Sequence, residues 1–410
     1  MKKGKEQKPH IGIYGRRNKG KSSIINQLAG QNIAIVSDTP GTTTDPVKKS
    51  FEITGFGPVV LIDTAGIDDT GELGNQRIEK TLETVKHIDL AILVISENVF
   101  GDFEQELIKE FNKFECSFFI IHNKSDINGL SQELKNTLNE SFKVPIIEYS
   151  ALKEEDAEII INTVIKTIPE SSIKINSMLG GLISYGDIVL LITPIDIEAP
   201  AGRMILPQIQ AIRDILDNDA VAIVLKEREV DSFLKKTGIK PALAVTDSQI
   251  FKKADASIPA DIPLTGFSIL LARLKGNFDA FLQGTPAISK LKNNDRILLL
   301  ESCSHHVSCD DIGRVKIPRW ISNFTGKELI YEVVSGLDKI VRPINEYSLV
   351  VQCGGCMITN KQLQNRLREA INAGVPVTNY GMSIAYVQGI YKRAIAPFVN
   401  NSDDFEPDYL

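Results

Sequence analysis

The 410-residue sequence predicts an α/β protein made of three units in tandem, and three observations predict it. Apolar strand-like runs alternate with helix-periodic stretches from end to end, the pattern of repeated β-α units and parallel sheets. The length exceeds the roughly 150 residues that a single core usually organises. Two polar, proline-containing breaks, at 168–172 and 258–263, cut the alternation into three runs. No repeat of fixed period and no low-complexity tract is present.

The first unit, 1–170, has strand candidates at 11–14, 59–62, 90–95, 117–121 and 146–149, with helical stretches at 76–86 and 104–114 between them. The second, 178–260, places strands at 187–193, 221–225 and 242–245 around helices at 204–216 and 229–236. It carries no nucleotide or metal motif, and its 194–210 stretch reads as a pairing or packing segment in preference to a substrate loop. The third, 263–400, has strand runs at 296–300, 329–334, 347–351 and 375–378.

Hydrophobic residues make up 43% and charged residues 24%, ordinary for globular domains with sizeable cores. The net charge of −6, with both signs dispersed, favours neither nucleic acid nor membrane, and no such partner is expected. Lys2, Lys3, Lys5 and Lys8 read as a frayed terminus and not as a basic arm. No apolar run approaches the ~18 residues of a membrane span, and no signal-peptide core follows Met1. A cytoplasmic location is expected. The five cysteines should then stay reduced.

Residues from Gly15 through Gly20, Lys21 and Ser22 match G-x-x-x-x-G-K-S, directly after a strand and before the helical 23–28. Such a loop, with Asn18 and Lys19 inside it and Ser23 opening the helix, turns backbone N–H groups toward phosphate. Lys21 can reach the β- and γ-phosphates, and Ser22 can ligate Mg2+. Four further motifs follow in order. The polar stretch 41–45 holds threonines able to close on Mg2+. Asp63 through Gly66 ends a strand, so Asp63 can hold the metal through water and the Gly66 amide can sense the γ-phosphate. Asn123, Lys124 and Asp126 end another strand, and the Asp126 carboxylate can accept the donor pair of a guanine edge. Ser150 and Ala151 can present a backbone amide to the base oxygen. Five motifs at the C-terminal edges of strands indicate a P-loop GTPase domain using GTP.

This segment resembles the Era/TrmE-like branch of GTPases. The resemblance implies that Asn18 helps hold K+, which substitutes for an arginine finger, and that Thr43 is the Mg2+ threonine. Catalysis would then rest on Lys21, Thr43, Asp63 and Gly66. Ile67 stands where a water-positioning glutamine is usual, so hydrolysis is expected to be slow and potassium-stimulated. Glu72 reads as a solvated loop carboxylate in preference to a water-orienting one.

Four of the five cysteines fall after residue 300. Cys303 follows the run 296–300 and Cys353 the run 347–351, so both should emerge at the C-terminal edge of one parallel sheet. The turn Cys353-Gly354-Gly355-Cys356 leaves backbone amides able to face sulfur. The residues themselves leave open an iron–sulfur cluster, zinc with His305 as fourth ligand, a redox pair, or a buried structural pair. Cys309 is a weaker candidate ligand. Cys116, His10, His122, His306 and Trp320 read as packing or surface residues.

Taken whole, the chain resembles the FeFe-hydrogenase maturation GTPase family, HydF. The resemblance includes Gly186-Asp187, 199–208, 310–320 and 377–381, and the pattern C-x-H, about fifty residues, then C-x-x-C. It implies a small α/β dimerisation domain in the middle, giving a homodimer, and a C-terminal α/β metal-cluster domain. It further implies a scaffold and carrier binding a 4Fe–4S cluster at Cys303, Cys353 and Cys356, with His305 a possible fourth ligand. A transient two-iron precursor, made with radical-SAM maturation enzymes, would be delivered to the apo-FeFe-hydrogenase. Gln352 replaces the histidine that usually precedes C-x-x-C, so the remaining iron position falls to His305, to a carboxylate such as Glu301 or Asp310, to water or to a precursor. The rival readings are an RNA-modification or ribosome-assembly GTPase with a zinc-binding C-terminal domain, and a GTP-gated C-x-x-C redox regulator.

Overall fold

A computed structural model describes residues 8–30, 33–39, 47–53, 56–66, 72–150, 153, 156–169, 177–194, 204–302 and 311–399. The chain divides into two compact units, Met1–Ile175 and Asn176–Leu410.

In the first unit the elements run β1 (His10–Tyr14), α1 (Lys21–Gly30), β2 (Ile33–Thr39), β3 (Val47–Ile53), β4 (Gly57–Asp63), α2 (Glu72–Thr84), β5 (Leu90–Ser96), α3 (Asp102–Lys113), β6 (Ser117–Asn123), α4 (Gln132–Phe142), β7 (Ile146–Glu148) and α5 (Asp156–Thr167). They form one seven-stranded sheet of order β2-β3-β4-β1-β5-β6-β7. Alternation along the strands feeds two cores. Ile11 and Ile13 pack with Ile24 of α1 and Ile160 of α5, whereas Tyr14 packs with Ile108 and Phe111 of α3 on the opposite face. Every residue of β5 is buried, as a central strand covered on both faces requires. The expectation of a parallel sheet needs correction at one edge, where β2 and β3 form an antiparallel pair and β3 runs antiparallel to β4. β1 lies between β4 and β5, where the strand order reverses, so its C-terminal end opens into a crevice.

The second unit holds two parallel four-stranded sheets. The first comprises β8 (Ile188–Ile192), α6 (Leu206–Asp217), β9 (Val221–Leu225), α7 (Val230–Thr237), β10 (Leu243–Thr246), α8 (Phe251–Ser257) and β11 (Leu264–Gly266), with order β11-β10-β8-β9. It thus continues past the break at 258–263, because β11 pairs with β10. The helix that follows, α9 (Phe267–Lys275), is buried nearly all round: Leu270 and Leu271 join the core of this sheet, and Ile269 and Ala272 join that of the next.

The last sheet has order β13-β12-β14-β15. It is built from α10 (Phe278–Gly284), β12 (Arg296–Leu300), α11 (Ile317–Thr325), β13 (Ile330–Val334), β14 (Leu349–Gln352), α12 (Asn360–Asn372), β15 (Val377–Asn379), α13 (Tyr380–Val387) and α14 (Tyr391–Ile395). Residues 353–359 link the end of β14 to the start of α12. Thr359 caps that helix, its hydroxyl accepting from Gln362 N while Gln362 Oε1 accepts from Thr359 N. The link is therefore held at both ends.

Candidate functional site

At the end of β1 the loop 15–20 turns back on itself and leads into α1. Lys21 is buried, and its Nζ donates to the carbonyls of Gly15 at 2.9 Å and Arg16 at 2.8 Å. Asn18 sits in the left-handed region at φ 57°. Gly20, at φ 89°, also admits no side chain, because a Cβ there would come within 2.1 Å of Asn123 Nδ2. That nitrogen donates instead to the Lys19 carbonyl at 2.8 Å, tying the end of β6 to the loop.

Ser22 Oγ donates to Asp63 Oδ2 at 2.9 Å, so the two oxygens expected at Mg2+ are already neighbours. This donor set fits a divalent cation of the magnesium type, which takes few protein oxygens and keeps its water. Burial raises the Asp63 carboxyl above its ordinary value, opposed by the Ser22 hydrogen bond and the Lys21 ammonium. Gly66 lies against the loop as well, since a Cβ on it would meet Arg17 N at 2.7 Å. Its backbone thus packs on the residues that follow Gly15.

On the base side, Lys124 adopts φ 60°, and Ser150 Oγ donates to Asp126 Oδ1 at 2.6 Å. The Ser125 amide donates to the Tyr149 carbonyl at 3.1 Å, joining the two motif segments. Asp126 is exposed and Ser150 buried, an arrangement in which a fixed hydroxyl aims a solvent-facing carboxylate. Ser23 is exposed on the first turn of α1. Thr43, Ala151, Ile67, Cys303, His305, His306, Cys309 and Asp310 lie outside the described residues.

The cysteine turn leaves the last sheet at the C-terminal end of β14, as its position after an apolar run predicts. Cys353 N donates to the Leu300 carbonyl at 2.9 Å. Its Sγ accepts from Ser302 N at 3.1 Å and from Gly355 N at 3.5 Å. Donors converging on one sulfur suit a thiolate. A buried lysine and a half-buried arginine sit close by. Lys275 Nζ donates to the carbonyls of Gly355 at 2.9 Å, Ile358 at 3.0 Å and Cys356 at 3.5 Å. Arg366 donates to the carbonyls of Glu301 and Val334, and desolvation lowers its pKa while Cys353 opposes the drop. Convergent N–H groups and positive charge fit an anionic iron–sulfur centre better than a neutral packing pair.

Glu301, named above as a possible iron ligand, has another role. It is buried, and Arg314 grips its carboxylate at 2.8–3.1 Å while Ser335 Oγ donates at 3.1 Å. Its oxygens are committed to that ion pair. Gln352 is completely buried, with its amide nitrogen turned to Ser302 and Cys353.

Several residues escaped the sequence reading. Glu104, 1% exposed, binds Arg16 of the loop through two hydrogen bonds at 2.7 and 2.9 Å and accepts from the Gly101 amide that begins α3. Glu97 pairs with Lys19 at 2.9 Å. Lys275, the last residue of α9, escaped it too.

Comparison with known proteins adds three domain matches. Residues 178–276 match the Hydrogen maturase F dimerization domain, 279–397 the Hydrogen maturase F tetramerization domain, and 10–124 the 50S ribosome-binding GTPase family. The chain is 34% identical over 156 residues to the tRNA modification GTPase MnmE of Nitrosomonas europaea, covering 38% of this chain and 34% of that protein. It is 31% identical over 174 residues to GTPase Der of Wolinella succinogenes, covering 40% and 37%. The chain therefore spans about a third of the length of these curated relatives. Among solved structures, Era in complex with MgGDPNP and a 16S ribosomal RNA fragment aligns with a TM-score of 0.34 and 23% identity, over 39% of this chain and 57% of that one.

Proposed function

The chain belongs to the hydrogen maturase F family, and on that premise we propose a GTP-hydrolysing scaffold that binds a 4Fe–4S cluster and helps deliver the two-iron subcluster of FeFe-hydrogenase. The observation that carries the reading is the Cys353 sulfur, set among N–H donors beside Ser302, the residue that precedes Cys303. When bound, the cluster supplies an anionic iron–sulfide centre with an iron position open to an exchangeable ligand. Cys303, Cys353 and Cys356 hold it, and His305 is the candidate to complete it. Lys275 and Arg366 offset its charge. The apo-hydrogenase and radical-SAM maturation enzymes are the proposed partners, with a transient two-iron precursor as cargo.

In the first unit, entering GTP takes Lys21 from the Gly15 and Arg16 carbonyls onto its phosphates. Ser22, Thr43 and Asp63 hold Mg2+, which neutralises charge on the phosphates, and the Gly66 amide meets the terminal one. Asp126, aimed by Ser150, accepts from guanine. Asn18, in the left-handed conformation, would help to hold K+. Equal hydrolysis rates in potassium and sodium would remove that role. Oligomers form through the second unit. No helix among the described residues is long and apolar enough to cross a membrane, and we place the protein in the cytoplasm.

Anaerobic purification tests the cluster assignment. The expected result is a brown protein with about four iron and four sulfide per chain, lost in Cys303→Ser, Cys353→Ser and Cys356→Ser. A colourless protein carrying zinc, or a fully loaded Cys303→Ser variant, overturns it.

A further inference from the structure

At the end of β14 the two ends of the Gln352 amide meet very different surroundings. The side chain is 0% exposed. Its Nε2 donates to Ser302 Oγ and to the Cys353 carbonyl, each at 3.1 Å, and lies 3.5 Å from Cys353 Sγ. Its Oε1 meets no donor among the described residues. Turning the amide over brings no relief, because Oε1 would then face the Cys353 carbonyl and sulfur, both acceptors. The N–H edge is therefore the one held toward Cys353. An amide nitrogen has its lone pair delocalised into the carbonyl, so this edge offers a metal nothing and offers an anionic sulfur a proton donor.

Ser302 extends the same arrangement. Its backbone N–H donates to Cys353 Sγ, and its hydroxyl oxygen lies 3.0 Å from that sulfur. A neutral thiol donates its proton to the hydroxyl. A thiolate has none to give, so on deprotonation the Ser302 O–H must turn toward sulfur, while Oγ goes on accepting from Gln352 Nε2.

We propose that Gln352 and Ser302 form a donor relay onto the Cys353 thiolate, in which Gln352 raises the reduction potential of the cluster and is not one of its ligands. The inference rests on the cluster reading above and deepens it. Reduction adds negative charge to the iron–sulfide core and to its thiolates. Hydrogen bonds to the sulfurs stabilise that charge, and they are among the levers that set cluster potentials. Gln352 is thus a positioning residue, acting on iron only through the sulfur.

The test uses the full chain, reconstituted anaerobically with iron and sulfide, and a redox titration followed by electron paramagnetic resonance. Gln352→Met, of similar length and without a donor, is expected to keep the iron content and the spectral shape of the wild type while its potential moves negative. Gln352→Glu, which replaces the donor with a charge, moves it further. Ser302→Ala, a smaller change that guards against misfolding of the core variants, shifts in the same direction. Unchanged potentials in both Gln352→Met and Ser302→Ala overturn the proposal. So does a Gln352→Met spectrum with altered ligation, which makes residue 352 an iron ligand. Failure of the wild type to take up any cluster is seen before a variant is made; it sinks the parent reading and the relay with it.

Discussion

Lys275 shows how much a single buried charge can organise. Its ammonium reaches the carbonyls of Gly355, Cys356 and Ile358 and is 4% exposed, at the C-terminal end of α9. Replacing it with methionine keeps the aliphatic stem but strands those carbonyls away from water. Hydrogen bonds to charged groups are each worth about 1.5–3 kcal/mol, and an orphaned acceptor costs about 1–3 kcal/mol. Lys275→Met is therefore expected to lower the stability of the second unit by roughly 2–4 kcal/mol and to speed iron loss to a chelator. Urea denaturation with a parallel chelation assay checks both. A wild-type midpoint together with wild-type iron retention contradicts the clamp. At this scale the sequence was least informative, because Lys275, Glu104 and Ser302 matter through burial and partners that lie 50 to 88 positions away. The phosphate loop was legible for the opposite reason, since its chemistry is local and needs glycines and a lysine at set spacing.

At the scale of elements, strands buried on both faces were readable as apolar runs, and β5 is the clearest. β3 was not. Its Val47–Ser50 half is polar or exposed, and only Phe51 and Ile53 face a core, so its identity comes from the ladder with β4 and not from its own pattern. α4 was missed on similar grounds, with Leu138 its one buried residue. β11, three residues long, belongs to the middle sheet only through its pairing with β10. The start of β1 carries a pH signature that no pattern announces. His10 donates its backbone N–H to Asp89, and its ring Nδ1 lies 2.9 Å from the Lys8 carbonyl. Burial, then the charge of Lys48, hold its pKa down to about 4. The folded chain thus keeps the imidazole neutral while the unfolded chain protonates it near 6.5. Stability tied to this residue is intact above the unfolded value and is lost as pH falls from there toward about 4, amounting to roughly 2 kcal/mol by about pH 5. His10→Gln should flatten that part of the curve. Urea midpoints compared above and below the window decide it, and parallel declines in the two proteins would remove His10 from the account.

For the whole molecule, the order of nucleotide unit, motif-poor middle and cysteine-bearing end was visible in the sequence, whereas the surfaces that join copies were not. Assembly depends on what folding leaves uncovered. Among the described residues of the dimerization domain, β9 is an edge strand of its sheet, and Val221 and Val224 on it are 48% and 41% exposed. On α6, Ile209 and Leu216 are 48% and 56% exposed and lie seven positions apart, close to one helix face. An unprotected edge strand with apolar side chains is a ready partner for a second copy. Val224→Lys places a charge on that edge without touching the buried residues of the sheet. It is expected to shift the protein to a smaller species in sedimentation velocity while leaving the urea midpoint of each chain little changed. Ile127→Lys, an equally polar change at a 78% exposed position of the first unit, serves as the control and should leave the assembly as it is. If Val224→Lys sediments like the wild type, the copies meet through some other face.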